Sequence, residues 1–304
     1  NTWYMVEGIT RPMLRSLATA VTVTANDITQ TYNGSAFLGG NGVSYSHTGF
    51  SPTGTLSYAG TSQGAVNAGE YGITAAGLIS NQQYLISYSA GTLIINPKVV
   101  ALSASKVYDG LTSLDGFVSI ATGVGSENLA YSGAAANEAH VLTGTSIGAI
   151  TLVNATDGSG GLASNYVLPT LDAANAAVSI TAAPLTSVVT INGDNKTYDG
   201  LATASTSNLS SSATGAVTGD TVHLDTGNFA LVFDSAQAGA STISATGTAT
   251  ILNVTSTNDN VSLAKGLVTD YSITGQDPIQ DVGTYSVLAR PLTVAAVAAD
   301  KVFD

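Results

Sequence analysis

A short block recurs along this chain and limits what the chain can fold into. "INPKVVALSASKVYDG" begins at Ile95, "AAPLTSVVTINGDNKTYDG" at Ala182 and "ARPLTVAAVAADKVFD" at Ala289. Each copy reads proline, a β-rich stretch, then Lys-x-aromatic-Asp. A weaker relative, "AVTVTANDITQTYNG" from Ala20, has Gln30 where the others have lysine and Asn33 where they have aspartate. Two companion blocks travel with it. "NAGEYGITAAG" (67–77) resembles "QAGASTISATG" (237–247), with "DVGTYSV" (281–287) as an echo, and a tyrosine-led stretch opens at Tyr84, Tyr166 and Tyr271. Together the blocks mark units at 18–96, 97–183 and 184–290. Residues 1–17 read as the end of a preceding unit and 291–304 as the start of a further one.

The period separates architectures. Stacked solenoids repeat every ~20–50 residues. These units run to about 80–107 residues, the size of a self-contained β-sandwich domain. Local pattern agrees: Val21 and Val23 alternate with Thr22 and Thr24, and β-branched runs such as "GTLII" and "AAVSIT" sit between Gly and Pro punctuation. Helix signals are nearly absent, because Gly and Ser interrupt the Ala-rich pieces. The expectation is an all-β chain of tandem antiparallel Ig-like β-sandwiches forming an elongated rod, with β-grasp-like repeats as the alternative. The very short junctions at Pro97, Pro184 and Pro291 favour stiff joints over loose tethers.

Composition removes several functional classes. Only 9% of residues are charged and the net charge is −12, so the clustered cations that nucleic acid requires are missing. No cysteine is present, which excludes zinc thiolates, a thiol nucleophile and disulfides. No apolar run is long enough for a transmembrane helix. With no signal peptide and an initial asparagine, the chain reads as an interior piece of a longer polypeptide.

Lys-x-Tyr-Asp-Gly after a proline-led strand resembles the YDG-type repeat of large bacterial surface proteins. The first unit, with "NAGEYGITAAG" and "YLISYSAGTLIINP", is similar to the related MBG-type repeat. Both occur in tandem in filamentous-haemagglutinin-like adhesins, which Gram-negative bacteria secrete across the outer membrane. The likeness covers roughly residues 18–304, with two departures: Asn33 replaces the usual aspartate, and the third unit has about twenty extra residues within 245–280. The resemblance implies an extracellular or cell-surface location and a non-enzymatic structural repeat region, acting as stalk and multivalent surface-contact module. The alternative is a self-assembling filament subunit that uses incomplete terminal repeats and edge strands. Expected partners are neighbouring repeats of the same chain, other copies in a fibre, and a glycan or cell-surface ligand.

The motif residues are Tyr32, Asn33 and Gly34; Lys106, Tyr108, Asp109 and Gly110; Lys196, Tyr198, Asp199 and Gly200; and Lys301, Phe303 and Asp304. In a strand Lys106 and Tyr108 share one face, and Val107 and Asp109 the other. Asp-Gly predicts a turn, with glycine at positive φ. The tyrosine ring is expected to cover the end of a domain with its hydroxyl wet. The lysine stem is expected to lie along that ring while the ammonium pairs with a carboxylate. The motif then closes one end of each unit against its neighbour. A ligand-contacting row along the rod and a Lys–Asp or Lys–Asn isopeptide bond are the competing readings.

Other candidate chemistry is weaker. "GTSQG" (60–64) and "GTSIG" (144–148) fit a nucleophile elbow around Ser62 and Ser146, but no helix follows either one. His47, His140 and His223 fall one per unit without metal-ligand spacing. No cofactor is expected. Ca²⁺ is the one ion that the polar loops 155–161 and 256–260 suit, although neither matches a known calcium motif. Sequons at Asn154, Asn195, Asn208, Asn253 and Asn260 are consistent with a Thr/Ser-rich chain.

Overall fold

The computed structural model describes residues 3–5, 12–14, 17–80, 84–257, 264–277 and 279–297. The chain is all-β. Among the described residues its helical pieces are short 3-10 turns, such as Ala163–Asn165, Thr206–Asn208 and Val268–Asp270. Among the described residues no helix is long and apolar enough to cross a membrane.

The first repeat displays the plan. Strand Thr19–Ala25 buries Val21, Val23 and Ala25 on one face, as two-residue alternation requires. It lies between Val43–Tyr45, antiparallel, and Tyr84–Ser89, parallel. After a bend at 26–27 the chain continues as Ile28–Thr31, now parallel to Gly91–Asn96 in a second sheet. That sheet is completed by Gly69–Ile79 and Thr53–Ala59, both joined antiparallel. The opening and closing segments therefore bend together from one sheet into the other. Asn26 Nδ2 donates to the Asn41 carbonyl at 2.8 Å, and the Asp27 carboxylate accepts the Thr92 amide at 2.7 Å. Gly91 is forced by contact, since a Cβ there would sit 2.2 Å from the Ala25 carbonyl oxygen. Val21, Val23 and Phe50 form a core, against which Leu78 packs from the second sheet.

The other repeats close in the same way. Lys98–Val99 pairs parallel with Tyr166–Val167, and Ala101–Val107 lies between Val118–Ala121 and Ala176–Thr181. In the third repeat Ala183–Ile191 runs parallel to Tyr271–Gln276 and Gln280–Asp281, and antiparallel to Leu209–Thr214. Asp194–Thr197 then runs parallel to Tyr285–Leu288. Its core collects Ile191, Leu231, Phe233, Ile243, Tyr285 and Val287. The sheets are thus mixed, where the strand pattern alone predicts antiparallel pairing. A closing strand must run in the same direction as the opening strand beside it, because the next repeat starts at once. Only Pro97 separates Gly91–Asn96 from Lys98–Val99, and only Ala182 separates Ala176–Thr181 from Ala183–Ile191.

By internal contacts the chain forms two compact units. One comprises Asn1–Ala104, Leu114–Ala135 and Ser146–Ala177; the other comprises Ser105–Ser113, Ala136–Thr145 and Val178–Asp304. The motif turn of the middle repeat and its 136–145 segment thus group with the third repeat.

Strand Gly91–Asn96 gives an internal control. Leu93 is fully buried and its neighbour Ile94 is 39% exposed. Leu93→Ala is expected to lower stability by ~2–5 kcal/mol, and Ile94→Ala by no more than ~0.5 kcal/mol, measured by urea unfolding.

Candidate functional site

The motif lysine is at a core-facing position. Strand Ala101–Val107 buries Leu102, Ala104 and Lys106 in strict alternation. Lys106 is tolerable there because its ammonium is surrounded by acceptors. Nζ donates to the carbonyls of Leu111 (2.9 Å) and Ser113 (3.0 Å) and reaches Asp109 Oδ1 at 2.6 Å. Asp109 Oδ1 also accepts the Leu111 amide at 2.9 Å. The third repeat repeats this arrangement. Lys196 Nζ meets the carbonyls of Leu201 and Thr203, each at 2.9 Å, and Asp199 Oδ1 at 2.8 Å. Asp199 Oδ1 accepts the Leu201 amide at 2.9 Å. The Lys196 hydrogen bond, with the Leu201 amide behind it, holds the Asp199 carboxyl below its ordinary range. Gly110 and Gly200 turn the chain at φ +78° and +85°. In the first repeat Asn33 keeps the turn alone, accepting the Ser35 amide at 2.9 Å. The ammonium therefore serves carbonyls of its own loop, and the expected course of its stem along the tyrosine ring is not what fixes it.

The turn aims the tyrosine. Three amides, of Tyr32, Tyr108 and Tyr198, donate at 2.8 Å to the carbonyls of Asn96, Thr181 and Leu288, each at or beside the end of the closing strand of its own repeat. Beyond that point Tyr32 meets the second repeat. Its ring packs edge-on against Tyr166, with centroids 5.4 Å apart at 79°. Both hydroxyls converge on one carboxylate: Tyr32 donates to Glu127 Oε1 at 2.7 Å, and Tyr166 to Oε2 at 2.8 Å. Asn165, 1% exposed, accepts the Ala68 amide at 2.8 Å and donates to Asn67 Oδ1 at 3.0 Å. Gly34 has φ +76°, and a Cβ on it would lie 2.7 Å from Val124 Cγ1.

Tyr108 meets the third repeat in the same geometry. Its ring lies edge-on to Tyr271, 5.5 Å apart at 80°, and Tyr271 donates to Asp220 Oδ2 at 2.6 Å. Asp270 occupies the place of Asn165. Fully buried, it accepts the Val141 amide at 2.9 Å and the Leu267 amide at 2.9 Å, and it contacts His140 Nδ1 at 2.7 Å. The His140 ring stacks on Tyr108. Each closed joint thus comprises a motif tyrosine, an Asx-Tyr dipeptide and a carboxylate. One difference stands out. The Tyr108 hydroxyl, expected to be wet, is buried and has no hydrogen-bond partner among the described residues.

Burial is the main influence on these phenols. It raises Tyr32 to about 12, with help from the Glu127 hydrogen bond and charge. It raises Tyr166 beside Glu127 and Tyr271 beside Asp220 further still. Tyr108 also rises, through burial and then the charges of Asp270 and Asp220.

Glu127, Asp220, Tyr166, Tyr271, Asn165 and Asp270 lie outside the motif and were not predicted as site residues. The recurring Asx-Tyr dipeptide was the available signal; nothing in the sequence distinguished the two carboxylates. Lys301, Phe303 and Asp304 lie outside the described residues. Pro97 separates two strands, Pro184 is the second residue of its strand, and Pro291 is exposed. Ser62 is buried and Ser146 leads directly into strand Ile147–Val153. His223 contacts Thr255 Oγ1 at 2.8 Å, and His47 lies against Tyr84. Both Asp157 oxygens are engaged, with Asn128 Nδ2 and the Ser159 amide, and these bonds hold its carboxyl at about 2. Among the described residues no group of three His, Asp or Glu is placed to hold a metal; residues 258–260 of the other polar loop lie outside them. No family model matches the chain, and no curated protein matches it.

Lys106→Met strands two carbonyls and is expected to cost ~2–3 kcal/mol. Lys196→Met, at a more exposed site (side chain 15% against 1%), should cost about 1 kcal/mol. Urea unfolding of the two variants checks the order. The tyrosines give an opposed pair. Tyr32→Phe removes a bond to a carboxylate and is expected to cost ~1.5–3 kcal/mol. Tyr108→Phe removes an unpaired buried hydroxyl and should change stability by no more than ~0.5 kcal/mol or raise it. Below pH 10.0 Tyr32 holds its proton folded or unfolded. Above it the unfolded chain deprotonates first, so stability falls as pH rises toward about 12. Tyr32→Phe should shrink that alkaline loss.

Proposed function

We propose that the chain is a non-enzymatic structural repeat region of a large secreted bacterial surface adhesin of the YDG and MBG type. It acts as a stalk and as a multivalent surface-contact module at the surface of a Gram-negative cell. The observation that carries this reading is the repeated joint. The same motif tyrosine is buried on the following repeat at Tyr32–Tyr166 and again at Tyr108–Tyr271. A sequence feature that recurs in order to dock successive repeats is suited to building length, and its residues are occupied by packing rather than presented to a substrate. The extracellular and adhesive parts rest on the family resemblance. The remaining expectations, that the repeats form a rod, that no cofactor is needed and that glycans or cell surfaces are contacted, belong to the same proposal. Avidity in such a molecule comes from many weak contacts along its length.

A second reading, a subunit that assembles into extracellular filaments, is favoured by one feature. Residues 291–297 match the opening strands of the other repeats, yet Leu292, Val294 and Val297 are 88%, 80% and 91% exposed. The structure assigns 291–297 to no strand, and an exposed segment with a strand's apolar alternation is open to pairing with another chain.

Light scattering with negative-stain microscopy across a concentration series tests the first reading against the second. A stalk stays monomeric at every concentration and gives thin particles. Filaments that grow with concentration would favour assembly, and compact particles would contradict both.

A further inference from the structure

We propose that the face around Tyr198 is a third joint in its open state: a docking surface for one more β-repeat of the same type. That repeat is joined through Pro291 and presents an Asx-Tyr dipeptide together with a carboxylate. This inference rests on the structural-repeat reading above and adds the place and chemistry of the partner.

Equivalent residues line this face. Tyr198 follows the Lys196 turn as Tyr108 follows that of Lys106, with the same 2.8 Å amide bond to its closing strand. Its side chain differs only in being uncovered: Tyr198 is 36% exposed, against 3% for Tyr32 and 2% for Tyr108. Beside it lies an open hollow of about 680 Å³, lined by Gln237, Ala238, Arg290, Pro291 and Leu292 as well as Tyr198. The aligned blocks at 67–77 and 237–247 place Gln237-Ala238 at Asn67-Ala68. Asn67-Ala68 is the pair that grips Asn165 in the first joint, and the Val141 amide grips Asp270 in the second. The hollow therefore offers the next Asx side chain the amide of Ala238 and the amide group of Gln237, with Tyr198 ready for an edge-on tyrosine ring.

Position and charge select the occupant. In both closed joints the docked repeat is the one that opens immediately after the closing strand, at Pro97 and at Ala183. Pro291 and Leu292, the corresponding hand-over residues, form part of the wall. Arg290 also lines the hollow. It is one of only eight basic residues in a chain of net charge −12, and its charge suits a partner that brings a carboxylate, as the docked repeats of the closed joints bring Glu127 and Asp220. A tyrosine, an arginine and exposed apolar side chains around a hollow are the usual anchors of a protein contact.

Tyrosine nitration mapped by peptide mass spectrometry tests this. Two proteins are compared: the chain as it stands, and the chain with a copy of residues 110–183 added after Asp304 to complete the fourth repeat. In the first, Tyr198 is expected to react readily while Tyr32 and Tyr108 do not. In the second, Tyr198 should react roughly tenfold more slowly or less. Asn165→Ala with Tyr166→Ala in the added copy alone should restore its reactivity. Equal reactivity of Tyr198 in both proteins overturns the proposal, and so does protection that appears in the chain as it stands only at high concentration, since a second molecule is then the occupant. Amide exchange on the chain as it stands supplies a check independent of the added segment. The Ala238 amide should exchange far faster than those of Ala68 and Val141, and equal protection would mean that the face is already covered. Rod-like particles of the extended protein in which Tyr198 still reacts would sink the joint and leave the stalk reading intact, whereas loss of any adhesive function would leave the Tyr198 result untouched.

Discussion

A lysine ammonium on the core-facing side of a β-strand is costly unless its protons find acceptors close by. Lys106 meets that condition by curling its own loop around itself. The carbonyls of Leu111 and Ser113 and the Asp109 carboxylate approach within 3.0 Å. Lys196 does the same with Leu201, Thr203 and Asp199. Much else follows from this ring of acceptors. It fixes the seven-residue path after the opening strand and demands glycine at the bend. It also holds the intervening tyrosine at the end of the closing strand, pointing outward from its own repeat. The rarity of lysine in the chain is then intelligible, since three of its five lysines lie in this motif.

The tyrosine that ends this turn is the connector, with the lysine ring behind it at Tyr108 and the Asn33 turn alone at Tyr32. Tyr32 and Tyr108 leave their own repeats and bury against Tyr166 and Tyr271, each backed by a carboxylate and an Asx side chain. The two joints share a plan and differ in chemistry. The first is symmetrical, with Glu127 accepting both hydroxyls. In the second the Asp220 carboxylate takes the Tyr271 hydroxyl, the Tyr108 hydroxyl has no partner among the described residues, and His140 stacks on the ring instead. Edge-on aromatic packing is common to both and tolerates such variation, because it depends on ring shape and quadrupole rather than on one polar partner.

Much of the fold was legible in the sequence, and the reasons are local. Alternation in "AVTVTA" and "TLIIN" follows from the pleat, the Asp-Gly turns follow from φ preference, and the shared face of Lys106 and Tyr108 follows from the two-residue period. The parallel pairing of first and last strands was not legible, because it depends on residues about 65 positions apart, such as Thr22 and Ser87. The joint partners were hidden for the same reason. Glu127 lies 95 residues from Tyr32, in a loop with no motif, among twenty scattered acids. Tyr108 was expected to keep a wet hydroxyl because a tyrosine ring can cover a domain end with its polar tip in water; the ring is instead covered by a repeat whose contribution no local pattern records.

The motif tyrosine acts across repeats, and a double-mutant cycle tests this most directly. Tyr32→Leu, Tyr166→Leu and the double variant would be compared with the parent chain by urea unfolding. Rings in edge-on contact that share Glu127 predict a coupling energy of about 1–3 kcal/mol. Additivity within ~0.3–0.5 kcal/mol would mean that the two tyrosines serve their own repeats separately, and would contradict the account.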